Sequence, residues 1–390
     1  MSADRKRGLP ADGGKKPPRK VKSGPKKPRR RILRVLVRLV ALFVLAVGLL
    51  AALFIGTKCY SGSASAANAS RPAPDGVTGY ARAESFTYLT LPEWYIVFSA
   101  DEYASLIARR PPSGFPYIGA ARQYWGFYGS ACQATKGVYP FETGYHVMLG
   151  VIGASFTIES TLKLIYENTV GRATEWLSST DTPEDAFARR VATEYGTFMH
   201  TVPWYQFPFA SRLVALWKET PIGGPHKLRK LERRLVLTAE YGVKAVYGWV
   251  IGQMSGAAYG AEDERIYARI AAAPPAVFKD DRVKLVKPLE DGVQLVTLPR
   301  YEAFTRTALA MNALGVRFLD IAGNDDIVMT ALTRRGMPLE IPDATLLTVR
   351  PILTDPTMQR VVFAVPVSSL RRVIEHLARE RATVEHLYDY

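Results

Sequence analysis

The sequence predicts an α+β membrane protein, and three features carry that prediction. Nineteen uncharged residues, Leu39 to Thr57, follow a strongly basic N-terminal arm. Two weaker apolar stretches lie further on, at about 143–166 and 235–259. After Pro274-Pro275 the pattern changes to short strands alternating with helices.

Residues 1–31 mix Lys and Arg with Pro and Gly and hold too few apolar groups to offset the entropy of ordering, so a disordered basic tail is expected there. Residues 1–38 carry fifteen Lys or Arg against Asp4 and Asp12, which is thirteen of the chain's fifteen net positive charges. A charge so placed, running straight into an apolar segment, reads as contact with anionic lipid and a device that holds the N-terminus in the cytoplasm. It does not read as a nucleic-acid site, because the remaining chain is almost neutral.

Residues 32–58 are the expected transmembrane anchor. As a helix, Leu39–Thr57 is about 28 Å long at about 1.5 Å per residue, enough to span a hydrocarbon core. The competing reading is a cleaved signal: Arg29-Arg30-Arg31-Ile32-Leu33-Arg34 resembles a twin-arginine motif, and Ala64-Ser65-Ala66 offers a cleavage site. Both readings start the following chain on the outer side.

Residues 59–262 form a helical, membrane-embedded or interfacial region. An aromatic stretch, Ser85 to Ala134, predicts one helix from Pro92-Glu93 to Pro111 and a second over about 118–133, lying at the headgroup level or forming an aromatic core. The segment 143–166 is interrupted by Glu159 and Lys163, and 235–259 by Glu240 and Lys244; buried helices of a soluble or interfacial domain are the alternative to two spans. The basic run Lys227 to Arg234 favours spans, since it marks a cytoplasmic end under the positive-inside rule. In that topology Glu159, Lys163, Glu240 and Lys244 fall at one depth, each Glu four residues before its Lys, and predict a four-charge cluster joining two antiparallel helices. Gly248, Gly252, Gly256 and Gly260 form a ladder on one helix face and predict close packing within the chain, with a second copy or with a partner in a membrane complex.

Residues 276–390 are expected to form a ferredoxin-like α/β sandwich: strand 293–298, helix 301–314, strand 316–321, a hairpin at about 327–349, strand 361–365, helix 368–381 and strand 384–388. Such a domain hosts many functions and specifies none.

The chemistry is thinly marked. Glu142 and His146 lie four apart at the start of a helix, with Glu93 in the aromatic stretch; together they are the weak candidates for acid/base or metal work. Their spacing is not that of H-E-x-x-H, and no P-loop, G-x-S-x-G or dinucleotide motif occurs, so the sequence names no cofactor. Cys59 and Cys132, both on the outer side, offer either one disulfide or two free thiols. The composite expectation is a non-enzymatic inner-membrane protein of bacterial type whose periplasmic α/β domain binds a ligand or partner. A membrane enzyme acting on a lipid-like substrate through Glu142 and His146, and a transport subunit, are the alternatives.

Overall fold

The computed structural model describes residues 28–62, 72–74, 76–178, 181–255 and 265–390. It divides into two units, Met1–Ala46 and Val47–Tyr390. In the first, the described chain is the beginning of α1 (Pro28–Phe54), where Val37, Leu39, Val40, Leu42 and Leu45 are all exposed. The expected disordered tail lies almost wholly outside the described residues.

The second unit starts with the last turns of α1 and a wider turn, Ile55–Cys59. The helices that follow are α2 (Ser85–Leu89), α3 (Leu91–Ile107), α4 (Tyr117–Thr135), α5 (Thr143–Tyr166), α6 (Arg172–Leu177), α7 (Pro183–Met199), α8 (Phe209–Glu219) and α9 (Lys227–Ser255). Local chemistry sets several ends. Thr182 caps α7 in a reciprocal box with Asp185, and Pro183 occupies its first turn. At the start of α3, Pro92 and Glu93 occupy the first turn, with no side-chain cap.

The strands come in two sets. The first is β1 (Arg265–Ala271), β2 (Lys284–Pro288), β3 (Gln294–Pro299), α10 (Tyr301–Ala313) and β4 (Arg317–Ile321), an antiparallel sheet ordered β2-β3-β1-β4. The second is β5 (Asp326–Arg334), β6 (Thr345–Ile352), β7 (Asp355–Pro366), α11 (Leu370–Arg379) and β8 (Thr383–Leu387), ordered β6-β7-β5-β8. Strand for strand the two have the same topology.

This corrects the ferredoxin-like expectation. The β-α-β units are present as β3-α10-β4 and β7-α11-β8, but each closes around its own first strand, so there are two tandem sheets instead of one. The hairpin pairs β6 with β7, not β5 with β6. Of the strands that make the difference, β1 keeps the period-two alternation, with Ile266, Ala268 and Ile270 buried between Arg265, Tyr267 and Arg269, whereas β2, with Lys284 and Lys287, is largely exposed and shows no such pattern. β1 also lies before residue 276, where the sequence placed the domain boundary.

One core joins both sheets, including Ile266, Leu298 and Phe304 from the first set and Met329, Phe363 and Leu387 from the second. The second sheet is covered on its other face too: Val328, Val362 and Tyr388 pack into the aromatic core of α2, α3 and α4. Hence β5 is buried at nearly every position, as strands covered on both faces are. Helices and sheets are thus one packed body. Arg360 of β7, 3% exposed, is held by Glu385 at 2.6 and 2.7 Å and by Glu102 of α3 at 3.1 Å.

α4 is the middle layer. Its Tyr124 hydroxyl donates to the Leu149 carbonyl of α5 at 2.7 Å, and Trp125 donates to Thr157 at 2.9 Å. Its other side meets β6: Gln123 donates to the Pro351 carbonyl at 2.7 Å, and Gly126 lies under Arg350, where a Cβ would sit 2.8 Å from the guanidinium. β6 therefore stands level with the middle of α5. The aromatics of α3 and α4, among them Tyr95, Phe98, Tyr124, Phe127 and Tyr128, are buried between these layers and form an aromatic core, not a headgroup belt.

Among the described residues two helices are long and apolar enough to cross a membrane, Val37–Cys59 and Thr143–Leu177. The third expected span, 235–259, is not in that set; its last residues, 256–259, lie outside the described residues. The arginines of the basic run at the start of α9 are ion-paired within the fold. Arg229 bonds Asp185 at 2.8 Å and Glu232 at 3.2 Å, Arg233 bonds Glu167 at 2.9 Å, and Arg234 bonds Glu184 at 2.5 Å, all buried.

Candidate functional site

A cavity of about 120 Å³ lies between α3, α5, α7 and α9. Ile96, Ala100, Phe156, Val191, Ala192 and Leu237 supply apolar walls, and Tyr103, Tyr117, Tyr195 and Tyr241 add rings with a polar tip.

One wall is charged. Lys163 contacts Glu159 at 3.1 Å and Glu240 at 2.8 Å; Lys244 contacts Glu159 at 2.9 Å and Glu240 at 3.0 Å. The four charges alternate around a closed ring, two from each of the antiparallel helices α5 and α9. Each ammonium also faces aromatic rings, Lys163 at 5.1 Å from the Tyr103 centroid and Lys244 at 5.3 Å from that of Tyr195. The ring is neutral and satisfied by its own members, so a charged ligand gains little from it. What the cavity offers is apolar and aromatic surface, with hydroxyls at its margin.

The other sequence candidates do not converge on this space. Glu93 accepts the Tyr145 hydroxyl in a short hydrogen bond. Burial pushes its carboxyl up to about 7, against the lowering effects of Tyr145 and Arg300. His146 turns instead to Tyr128, whose hydroxyl lies 2.9 Å from Nδ1, and stacks on Phe141 at 4.3 Å. Glu142 precedes the first turn of α5 without capping it. Glu93 and His146 thus have separate hydrogen-bond partners.

Cys59 and Cys132 form a disulfide that ties the end of α1 to the end of α4. In the glycine ladder, a Cβ at Gly248 would meet the Tyr205 carbonyl at 2.9 Å, and Gly252 lies against the Tyr205 ring. The close approach there is to the aromatic turn Trp204–Gln206 of the same chain. Gly256 and Gly260 lie outside the described residues.

A second polar cluster, absent from the sequence reading, sits where α3 and α7 meet the strand region. His200 is bonded to Asp101 at 2.7 Å and faces Glu302 at 3.5 Å, and these two carboxylates raise it to about 9. Nearby His386 is fully buried, packed on Trp94 and bonded to Thr305, and burial holds it neutral. Its partners are some 80 residues or more away in sequence, which is why no spacing announces them.

No family model, curated protein or solved structure matches the chain.

Proposed function

We propose that the chain is a membrane-anchored, non-catalytic binding protein that takes up a small apolar molecule from the bilayer. The observation that carries this reading is the two-sidedness of α5 and α9. Phe156 and Ser160 of α5 and Leu237 and Tyr241 of α9 wall the cavity, while Leu162 and Ile165 of α5 and Val243, Val246 and Trp249 of α9 are exposed on the outside. The helices that separate the cavity from its surroundings are those that present bare apolar surface. A space of about 120 Å³ is comparable to an engineered apolar cavity of about 150 Å³ that holds benzene, so an aromatic ring or a short piece of acyl chain fits.

In this reading α1 is the single crossing and the body Val47–Tyr390 rests on the outer membrane surface by its α5 and α9 face. Helix layers lie about 8–10 Å apart and a sheet packs about 10 Å behind. A bilayer crossed by α5 would therefore bring β6, an edge strand level with its middle, and the exposed Arg122 of α4 into hydrocarbon. Open strand edges and unpaired charges are not tolerated there. Outer placement draws support from two independent features: the basic flank before α1, and a disulfide just after it, which calls for an oxidising compartment. The inner membrane of a bacterial-type cell is the setting that combines them.

The experiment is a ¹⁹F NMR titration of fluorobenzene into the full chain in lipid nanodiscs. Saturable binding is expected, abolished by Ala192→Phe and weakened by Ala100→Leu, with a cooperative unfolding transition retained in both. Absence of saturable binding, or equal binding by the filled variants, refutes the reading.

A further inference from the structure

Three buried ligand atoms, the sulfurs of Cys59 and Cys132 and a ring nitrogen of His146, lie within 4.8 Å of one another. They come from three elements, the turn ending α1, the last turn of α4 and the first turn of α5, so the fold itself brings them together.

The histidine is held in a defined state. The Tyr128 hydroxyl has one proton and lies 3.2 Å from the His146 carbonyl, to which it donates, and 2.9 Å from Nδ1. When the hydroxyl donates to the carbonyl it accepts from Nδ1–H, the tautomer that leaves the lone pair on Nε2. Phe141 stacks on the ring at an interplanar angle of 4°, fixing its plane. Orientation of a ligating imidazole through its other nitrogen is the usual supporting arrangement at metal sites. A pocket of about 10 Å³ opens beside Cys59 and His146, bordered by Ser61, Ser85 and Thr135. That is space for about one water.

We propose that reduction of the Cys59–Cys132 bridge converts this cluster into a Cys2His site for a thiophilic d¹⁰ divalent cation such as Zn²⁺, with water from the small pocket as fourth ligand. Bridge and metal are then mutually exclusive states of one staple between α1 and α4. In the first step a dithiol reductant exchanges with the bridge: its two thiols are oxidised to a disulfide, and Cys59 and Cys132 gain two electrons and two protons. In the second the cation binds both sulfurs as thiolates, releasing those two protons, and Nε2 of His146 donates its lone pair. The donor set, two thiolates and an imidazole, favours zinc-like ions over hard cations.

The test uses the full chain in detergent under anaerobic conditions, reduced with a phosphine, desalted and titrated with Co²⁺ as a spectroscopic probe. The oxidised chain should bind none at this site. The reduced chain should bind one equivalent with thiolate charge-transfer and tetrahedral d–d bands, displaced by Zn²⁺. Cys132→Ser should abolish the charge-transfer pattern, and His146→Ala should weaken binding at least tenfold. Circular dichroism of reduced wild type and of the Cys59→Ser/Cys132→Ser double variant checks that the fold survives without the bridge. A folded reduced chain without these bands, a His146→Ala variant that binds as tightly as wild type, or loss of the fold on reduction would each overturn the proposal.

Discussion

The charge ring on α5 and α9 makes a prediction that separates it from a pair of independent ion pairs. Its four contacts lie between 2.8 and 3.1 Å, and its members are 17–40% exposed, between surface and interior. A value of about 1 kcal/mol per contact is appropriate to that setting. Glu240→Lys turns two attractions into two repulsions, a loss of about 4 kcal/mol on the same scale. Adding Lys163→Glu would rescue an isolated Lys163–Glu240 pair. In the ring it mends the contact between positions 163 and 240, but it sets the new carboxylate at 163 against Glu159 and leaves the new ammonium at 240 against Lys244. Nearest-neighbour energies therefore recover almost nothing, and only neutrality is regained. Inverting all four, Glu159→Lys, Lys163→Glu, Glu240→Lys and Lys244→Glu, restores every alternation and should return stability to within about 1 kcal/mol of wild type. Urea unfolding of the detergent-solubilised chain, followed by far-ultraviolet circular dichroism, measures the series. A fourfold inversion no more stable than Glu240→Lys would refute the ring, and full rescue by the twofold swap would reduce it to a single pair.

Other parts of the structure make predictions of their own. Arg360→Ala strands two carboxylates between β7, β8 and α3 and should cost about 3–5 kcal/mol in the same urea assay, with a loss below about 1 kcal/mol counting against the clamp. Because His200 is raised to about 9 in the fold from an ordinary 6.5, its contribution is full below about pH 6.5 and is lost as pH rises through about 9. After discounting for its exposed quarter this amounts to about 2 kcal/mol, and His200→Gln should flatten that part of the stability profile. Finally, Ile222→Cys, at a position 76% exposed between α8 and α9, should react with a membrane-impermeant maleimide on intact spheroplasts; labelling only after permeabilisation would put that loop inside and restore α5 as a span.

Helix positions were largely legible because their signals are local. Pro92-Glu93, Thr182-Pro183-Glu184-Asp185 and Gly315 punctuate the chain within a turn of the boundaries they set. The apolar helix α1 and the four charges were legible for a similar reason, as patterns along single helices. Partnership over long distances was not. Arg229, Arg233 and Arg234 look like a topogenic cluster until Asp185, Glu167 and Glu184 are seen against them, between 44 and 66 residues away. Apolar length also marked α5, which is long and apolar enough to cross a membrane and packs one side on α4. The joining of Cys59, Cys132 and His146 depends on three elements meeting, which no window of sequence contains.

The matched topology of the two sheets has a consequence for how this region came to be one chain. Each half, strand-strand-strand-helix-strand, contributes about equally to a core that closes only when the other half is present. In assembly terms the C-terminal region is a dimer whose subunits are joined by the tight connection between β4 and β5. A half expressed alone would expose the apolar face it normally buries against the other half.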